Sequence, residues 1–138
     1  KKIKLLNSKN EIEIILLRDS DSFIGLKERV EAINKINPDL LISLHINSSK
    51  NNEENGAIAY VFSENEFYKK SLKSAESLKN TFSNGEVKNG NFFIIKNSNC
   101  PAVLLELGYL TNEKDKQFLT SENGKNVIAN KIFNYLNQ

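Results

Sequence analysis

One imidazole and one carboxylate in apolar surroundings limit the chemistry this sequence offers. His45 lies in Ser43-Leu44-His45-Ile46-Asn47, and Glu106 lies in Pro101-Ala102-Val103-Leu104-Leu105-Glu106-Leu107-Gly108. Side chains alternate across a strand, so Ser43, His45 and Asn47 share one face while Ile42, Leu44 and Ile46 share the other. A polar triplet that ends an apolar strand costs stability unless its groups find partners. Two readings of His45 stay open: a hydrogen-bonded histidine near a sheet edge, or a functional group at the strand's carboxyl end, where open α/β sheets place their crevices. Glu106 poses the same choice more sharply. Burying an ionised carboxylate in such a run calls for a cation, a metal or protonation. Beside a metal-bound water, a partly desolvated carboxylate is what a general base requires. A salt bridge to Lys or Arg at the sheet rim is the alternative.

The remaining polar groups offer less. Arg18-Asp19-Ser20-Asp21 also follows an apolar run, and helix capping with a local ion pair accounts for it. Cys100 is the one cysteine, and nothing around it resembles a nucleophile turn; it reads as a packing residue rather than the partner of His45 in a thiol–imidazole pair. No GxGxxG, GxxxxGK[ST] or GxSxG occurs, so nucleotide-binding and serine-hydrolase chemistry lack their signatures. Asn47-Ser48-Ser49 matches a glycosylation acceptor, a pattern too short to carry weight. A protein zinc site takes three or four ligands, mostly His and Cys. With 1 His and 1 Cys, metal chemistry here depends on ligands that are rare in the chain.

The elements that position these groups can be read from periodicity. Lys1–Leu6 is expected to be the basic tail of a helix, followed by a loop over Asn7-Ser8-Lys9-Asn10. Glu11–Leu17 (EIEIILL) alternates and then runs apolar, as a strand entering a buried sheet would. Leu26–Ile36 carries Leu26, Val30 and Ile33 at helical spacing and stops at Asn37-Pro38, since proline disfavours the helical region for the residue before it. Leu40–Ile46 is a second strand, so a βαβ unit is expected over these three segments. Further strands are expected at Gly56–Phe62, Phe92–Ile95 and Ala102–Leu107, with loop over Ser83–Gly90. Helices are expected at Asn65–Phe82, with Tyr68, Leu72, Ala75, Leu78 and Phe82 on one stripe, at Glu113–Leu119, and at Gly124–Leu136. This alternation implies an α/β three-layer sandwich, a mainly parallel central sheet with helices on both faces.

A chain of 138 residues points to one domain. The net charge of +2 argues against nucleic acid as the main partner, and a single cysteine excludes an internal disulfide. No apolar run approaches the roughly 18–20 residues of a membrane span. The sequence contains 0 Met, which sets the expectation that the natural start lies elsewhere.

Taken in order, these segments resemble the zinc-dependent N-acetylmuramoyl-L-alanine amidases of the amidase-3 type. Leu17-Arg18-Asp19-Ser20-Asp21 looks like the family's TRxxD stretch, and Leu26–Asn34 (LKERVEAIN) like its LxxRxxxAN helix. Asp39–Asn47 (DLLISLHIN) resembles DLFISIHAN, and Pro101–Asn112 (PAVLLELGYLTN) resembles PAVLVExGFLSN; these two carry most of the specificity. The closing helix, ending Ile132-Phe133-Asn134-Tyr135, resembles AxxIxxxIxxY. The resemblance implies a peptidoglycan hydrolase in which His45 is one zinc ligand, Glu106 is the catalytic acid/base and Asn47 binds substrate. It further implies zinc as cofactor, the amide between N-acetylmuramic acid and L-alanine as the bond cleaved, a periplasmic or secreted location and a monomer. The family's two other ligands belong to an N-terminal strand motif, DxGHG, and its following helix, and neither motif is in the sequence. Residues 1–138 are therefore expected to form a single catalytic domain that is incomplete at its N-terminus, or else an inactive cell-wall binding or regulatory module. With one crossover helix between Phe62 and Phe92, the cleft over His45 is expected to be free of any plug from within the chain.

Overall fold

The computed structural model describes residues 1–9, 11–82 and 85–138. In chain order it contains α1 (Lys2–Leu6), α2 (Leu26–Ile36), β1 (Leu41–Asn47), β2 (Ile58–Val61), α3 (Tyr68–Thr81), β3 (Glu86–Asn89), α4 (Phe93–Asn97), β4 (Ala102–Tyr109), α5 (Glu113–Thr120) and α6 (Glu122–Leu136). The strands form one sheet in the order β1-β4-β2-β3. The pairs β1–β4 and β2–β3 are parallel and β2–β4 is antiparallel, so the sheet is mixed with parallel pairing predominating.

Helices cover both faces, as the amphipathic patterns demand. On one face Ala59, Val61, Val103 and Leu105 meet Ala75 and Leu78 of α3, Leu119 of α5 and Ile128 and Ile132 of α6. On the other, Leu41, Ala102 and Leu104 meet Val30 and Ile33 of α2, Ile94 and Ile95 of α4, and Cys100. Cys100 is thus a core residue, and burial pushes its thiol pKa up. Helix α2 ends as its proline requires: Asn37 takes a left-handed conformation (φ 52°) and its N–H returns to the Ile33 carbonyl at 2.8 Å. Leu26 is half exposed, so the buried stripe of α2 is shorter than its spacing suggests.

Three expected elements differ. Glu11–Leu17 is coil: its residues pair with no strand among the described residues, and β1 pairs only with β4. Alternation makes a segment fit to join a sheet, but a strand exists only where a neighbour accepts its backbone hydrogen bonds. The βαβ unit expected over residues 11–46 is therefore not formed; the parallel unit observed is β2-α3-β3. Phe92–Ile95 is not a strand but the start of α4, which turns Ile94 and Ile95 into the α2 side of the core. The Ser98 hydroxyl closes that turn by donating to the Ile94 carbonyl at 2.6 Å. Within the expected loop Ser83–Gly90, residues Glu86–Asn89 form the edge strand β3 instead. Ser83, Asn84 and the Asn10 of the earlier loop lie outside the described residues.

Candidate active site

Strands β1 and β4 run side by side in parallel, and their register sets His45 directly opposite Glu106. Directly paired residues on neighbouring strands project to the same face. Both therefore stand near the carboxyl ends of adjacent strands, on the face covered by α2 and α4, just beyond Ser43 and Leu104 in the preceding row. Antiparallel β2 extends the row, with Ile58 opposite Glu106.

The His45 imidazole is largely exposed on the sheet edge and hydrogen-bonded to one neighbour: its Nε2 lies 2.9 Å from the Ser43 hydroxyl. Partial desolvation, then the positive charge of Arg29 on α2, holds its pKa below the usual histidine value. The Arg29 guanidinium is itself held in place, its Nε donating to the Ile24 carbonyl at 2.8 Å. At neutral pH the imidazole is consequently neutral, with a ring nitrogen lone pair available.

Glu106 has the opposite problem. Its Oε2 is buried and, among the described residues, has no hydrogen-bond partner and no salt bridge to Lys or Arg. The rim salt bridge is therefore not made. Desolvation raises its carboxyl pKa. A half-buried, unpartnered carboxylate beside a neutral imidazole is equipped to take and return a proton.

Asn47 ends β1, and its Oδ1 accepts from the Ser48 N–H at 2.8 Å, so the side-chain oxygen is committed to the local turn. The strand register changes here: His45 pairs with Glu106 but Asn47 pairs with Tyr109, so two steps on β1 match three on β4. That is a bulge beginning one residue after Glu106. Gly108 lies within it at φ +144°, and Leu110 N–H then recovers the ladder by donating to the Asn47 carbonyl at 2.9 Å.

The local ion pair and helix capping expected of Arg18-Asp19-Ser20-Asp21 are not found among the described residues. Arg18 Nη1 donates to the Ser22 carbonyl at 3.3 Å, and α2 is capped instead by Glu28 Oε2, which accepts from the Gly25 N–H at 3.0 Å. Cys100 and His45 belong to different surroundings, one in the core and one at the strand end. Within the segment between Phe62 and Phe92, α3 packs on the opposite face of the sheet from His45 and Glu106. Beside the row a cleft of about 320 Å³ is lined by Ile58, Glu53, Glu54, Tyr109 and the Glu86–Lys88 ion pair (2.8 Å).

A catalytic zinc takes three protein ligands and keeps one position open. Among the described residues no three His, Cys, Asp or Glu side chains converge on a common point. His45 and Glu106 fit one side of such a centre, a neutral imidazole and an unpartnered carboxylate oxygen, and do not by themselves complete it.

Residues missed by sequence reasoning are Gly108, Tyr109 and Asp115. Their signal lay in the Gly108-Tyr109 pair directly after the Glu106 run and in the Asn112-x-x-Asp115 spacing, an N-cap residue followed by a carboxylate three positions on.

The probable cell wall amidase LytH of Staphylococcus saprophyticus is 30% identical over 133 residues, covering 96% of this chain and 44% of that protein. The N-acetylmuramoyl-L-alanine amidase LytC of Bacillus subtilis is 30% identical over 125 residues, covering 86% of this chain and 25% of that protein. The chain thus spans less than half the length of these curated relatives. Among solved structures, the catalytic domain of CwlV, an N-acetylmuramoyl-L-alanine amidase from Bacillus (Paenibacillus) polymyxa var. colistinus, superposes with a TM-score of 0.81 at 31% identity, covering 98% of this chain and 76% of that one. The N-acetylmuramoyl-L-alanine amidase of Clostridium difficile 630 gives 0.87 at 27% identity, with the same coverage. The model of the Amidase_3 family, described as N-acetylmuramoyl-L-alanine amidase, matches residues 1–138 from end to end, and the chain belongs to that family.

Proposed function

We propose that residues 1–138 carry the proton-transfer part of a peptidoglycan amidase, which hydrolyses the amide between N-acetylmuramic acid and L-alanine in the cell envelope. The observation that carries this is the register pair His45–Glu106, with its buried, unpartnered carboxylate oxygen. Glu106 takes a proton from the water that attacks the lactyl carbonyl. It then returns that proton to the amide nitrogen as the C–N bond breaks, leaving a muramoyl carboxylate and a peptide with a free L-alanine amine. Desolvation serves both halves of this exchange, since a carboxyl with a raised pKa is a better base and still re-donates near neutral pH.

In this reading His45 is one zinc ligand, and its neutral state suits it to that role. A zinc ion there, with its other ligands drawn from outside residues 1–138, would supply Lewis acidity and a bound water of pKa about 7. The Ser43 hydroxyl orients the ring through Nε2. Asn47 retains its Nδ2 donor for substrate, its oxygen being held by Ser48. The protein acts as a periplasmic or secreted monomer, a location in keeping with its cell wall amidase relatives.

The test is Glu106→Gln in the full-length protein on purified peptidoglycan, scored by mass spectrometry of released stems bearing N-terminal alanine. Removing a general acid–base costs about 10²–10⁴-fold in rate. Release at the wild-type rate would overturn the role. A second reading, a wall-binding module without activity, is favoured by the single imidazole among 138 residues. Its signature is binding to insoluble wall with no stems released by the wild type.

A further inference from the structure

Nine residues beyond Glu106, a second carboxylate is hydrogen-bonded to two backbone amides. A single oxygen of Asp115, Oδ2, accepts the Tyr109 N–H at 2.9 Å and the Gly56 N–H at 3.0 Å. One amide lies on the strand of Glu106 itself, beyond the bulge, and the other precedes the neighbouring strand β2. Tyr109 is the residue at which β4 re-pairs after the bulge, and Gly56 leads into Ile58, the β2 partner of Glu106. A bulge leaves a backbone group without a ladder partner, and here the partner is a side chain. Asp115 is mounted rigidly for this: it sits in the first turn of α5, and its own N–H donates to the Asn112 Oδ1 at 3.2 Å.

The fit is close. A Cβ at Gly108 would come within 2.8 Å of the same Oδ2, so glycine is the residue that lets the carboxylate reach both amides. Placing an acidic side chain at the positive end of α5 lowers its cost of desolvation.

Resting on the amidase reading above, we infer that Asp115 is a positioning residue for Glu106. It clamps the bulge of β4 to the entry of β2, and so fixes the height at which the Glu106 carboxyl stands beside His45. It touches neither substrate nor the reacting atoms.

The experiment measures kcat and KM of the full-length protein on a soluble muramoyl-L-alanyl peptide for Asp115→Ala, Asp115→Glu and Asp115→Asn. A displacement of about 1 Å at a reacting group costs about 100-fold. Asp115→Ala is expected to lose kcat on that scale with KM within about twofold, because its Oδ2 is engaged by backbone amides rather than by substrate in this role. Asp115→Asn keeps an oxygen acceptor in place and is expected to recover most of the rate. Asp115→Glu preserves charge and capping but carries the oxygen past the amides. It is expected to lose at least about tenfold in kcat, and it decides the matter should the alanine variant not fold. Wild-type kcat in Asp115→Glu, or a loss in Asp115→Asn equal to that in Asp115→Ala, overturns the inference while leaving the role of Glu106 standing. A wild-type protein that releases no peptide overturns the amidase reading and this inference with it.

Discussion

Strand β4 shows two opposite faces within a few residues. Val103 and Leu105 are 0% exposed and lie beneath α3, α5 and α6. On the other face Ala102 and Leu104 are covered by α2 and α4, and Glu106 ends the row with an oxygen that has no hydrogen-bond partner among the described residues. The flanking sequence is equally apolar on both sides. What distinguishes the faces is how far the helices reach along the strand. Three helices pack on one face, whereas α2 and α4 on the other bury Ala102 and Leu104 and leave Glu106 only partly buried.

That contrast can be broken most directly in the sealed face. Leu105→Ala removes a fully enclosed side chain, and such substitutions cost about 2–5 kcal/mol in unfolding free energy. Denaturant titration measures this. A cost below about 1 kcal/mol would mean that the layer over Leu105 collapses easily and that the two faces are less different than they look.

Gly108→Ala probes the junction between the faces and is expected to cost less. The residue must hold φ +144°, and its new methyl would press on Asp115 Oδ2 at 2.8 Å. Backbone strain of this kind costs about 1–3 kcal/mol. Hydrogen exchange sharpens the result: the Tyr109 and Gly56 amides should lose protection in the variant while the β1–β4 ladder ahead of the bulge keeps it. Uniform loss along β4 would show instead that the bulge is not a separate local unit.

The sequence showed the contrast in part. Ser43, His45 and Asn47 on one face, and Glu106 inside an apolar run, could be read from alternation alone, because period-two patterning is local. The α3 stripe and the Asn37-Pro38 stop were equally legible. Three elements were not, each for a physical reason. Residues 11–17 alternate as a strand should, yet strand formation depends on a partner that periodicity cannot reveal. Residues 86–89 (Glu-Val-Lys-Asn) show no apolar face, since as an edge strand they bury little, and so they read as loop. Phe92–Ile95 is β-prone by composition, but four apolar residues in a row do not distinguish a strand from a helical turn. The contacts of Asp115 were only half legible: the Asn112-x-x-Asp115 spacing marks a helix cap, but the backbone amides of residues 56 and 109 that the carboxylate reaches leave no mark in a sequence.

The smallest expected effect lies on the open face, and its sign is informative. Burial raises the Glu106 pKa above 4.5, so the folded state holds this proton more tightly than the unfolded chain does. Between pH 4.5 and the folded value, folding takes up protons, and stability falls as pH rises through that window. His45 acts in the other direction: its pKa is lowered from 6.5, so its contribution is complete above pH 6.5 and is lost as pH falls through the folded value. Glu106→Gln removes the first dependence and keeps the second. The variant should therefore melt at a higher temperature than wild type at neutral pH, with the gap closing as the pH drops to 4.5 and below. Leu105→Ala should show a constant deficit across the same range, because nothing that titrates is lost. Melting curves for the three proteins from about pH 4 to pH 8 make the comparison. A gap between Glu106→Gln and wild type that is independent of pH would mean that water already satisfies the Glu106 carboxylate. In that case the open face would be an ordinary polar surface, without a desolvated acid prepared for proton transfer.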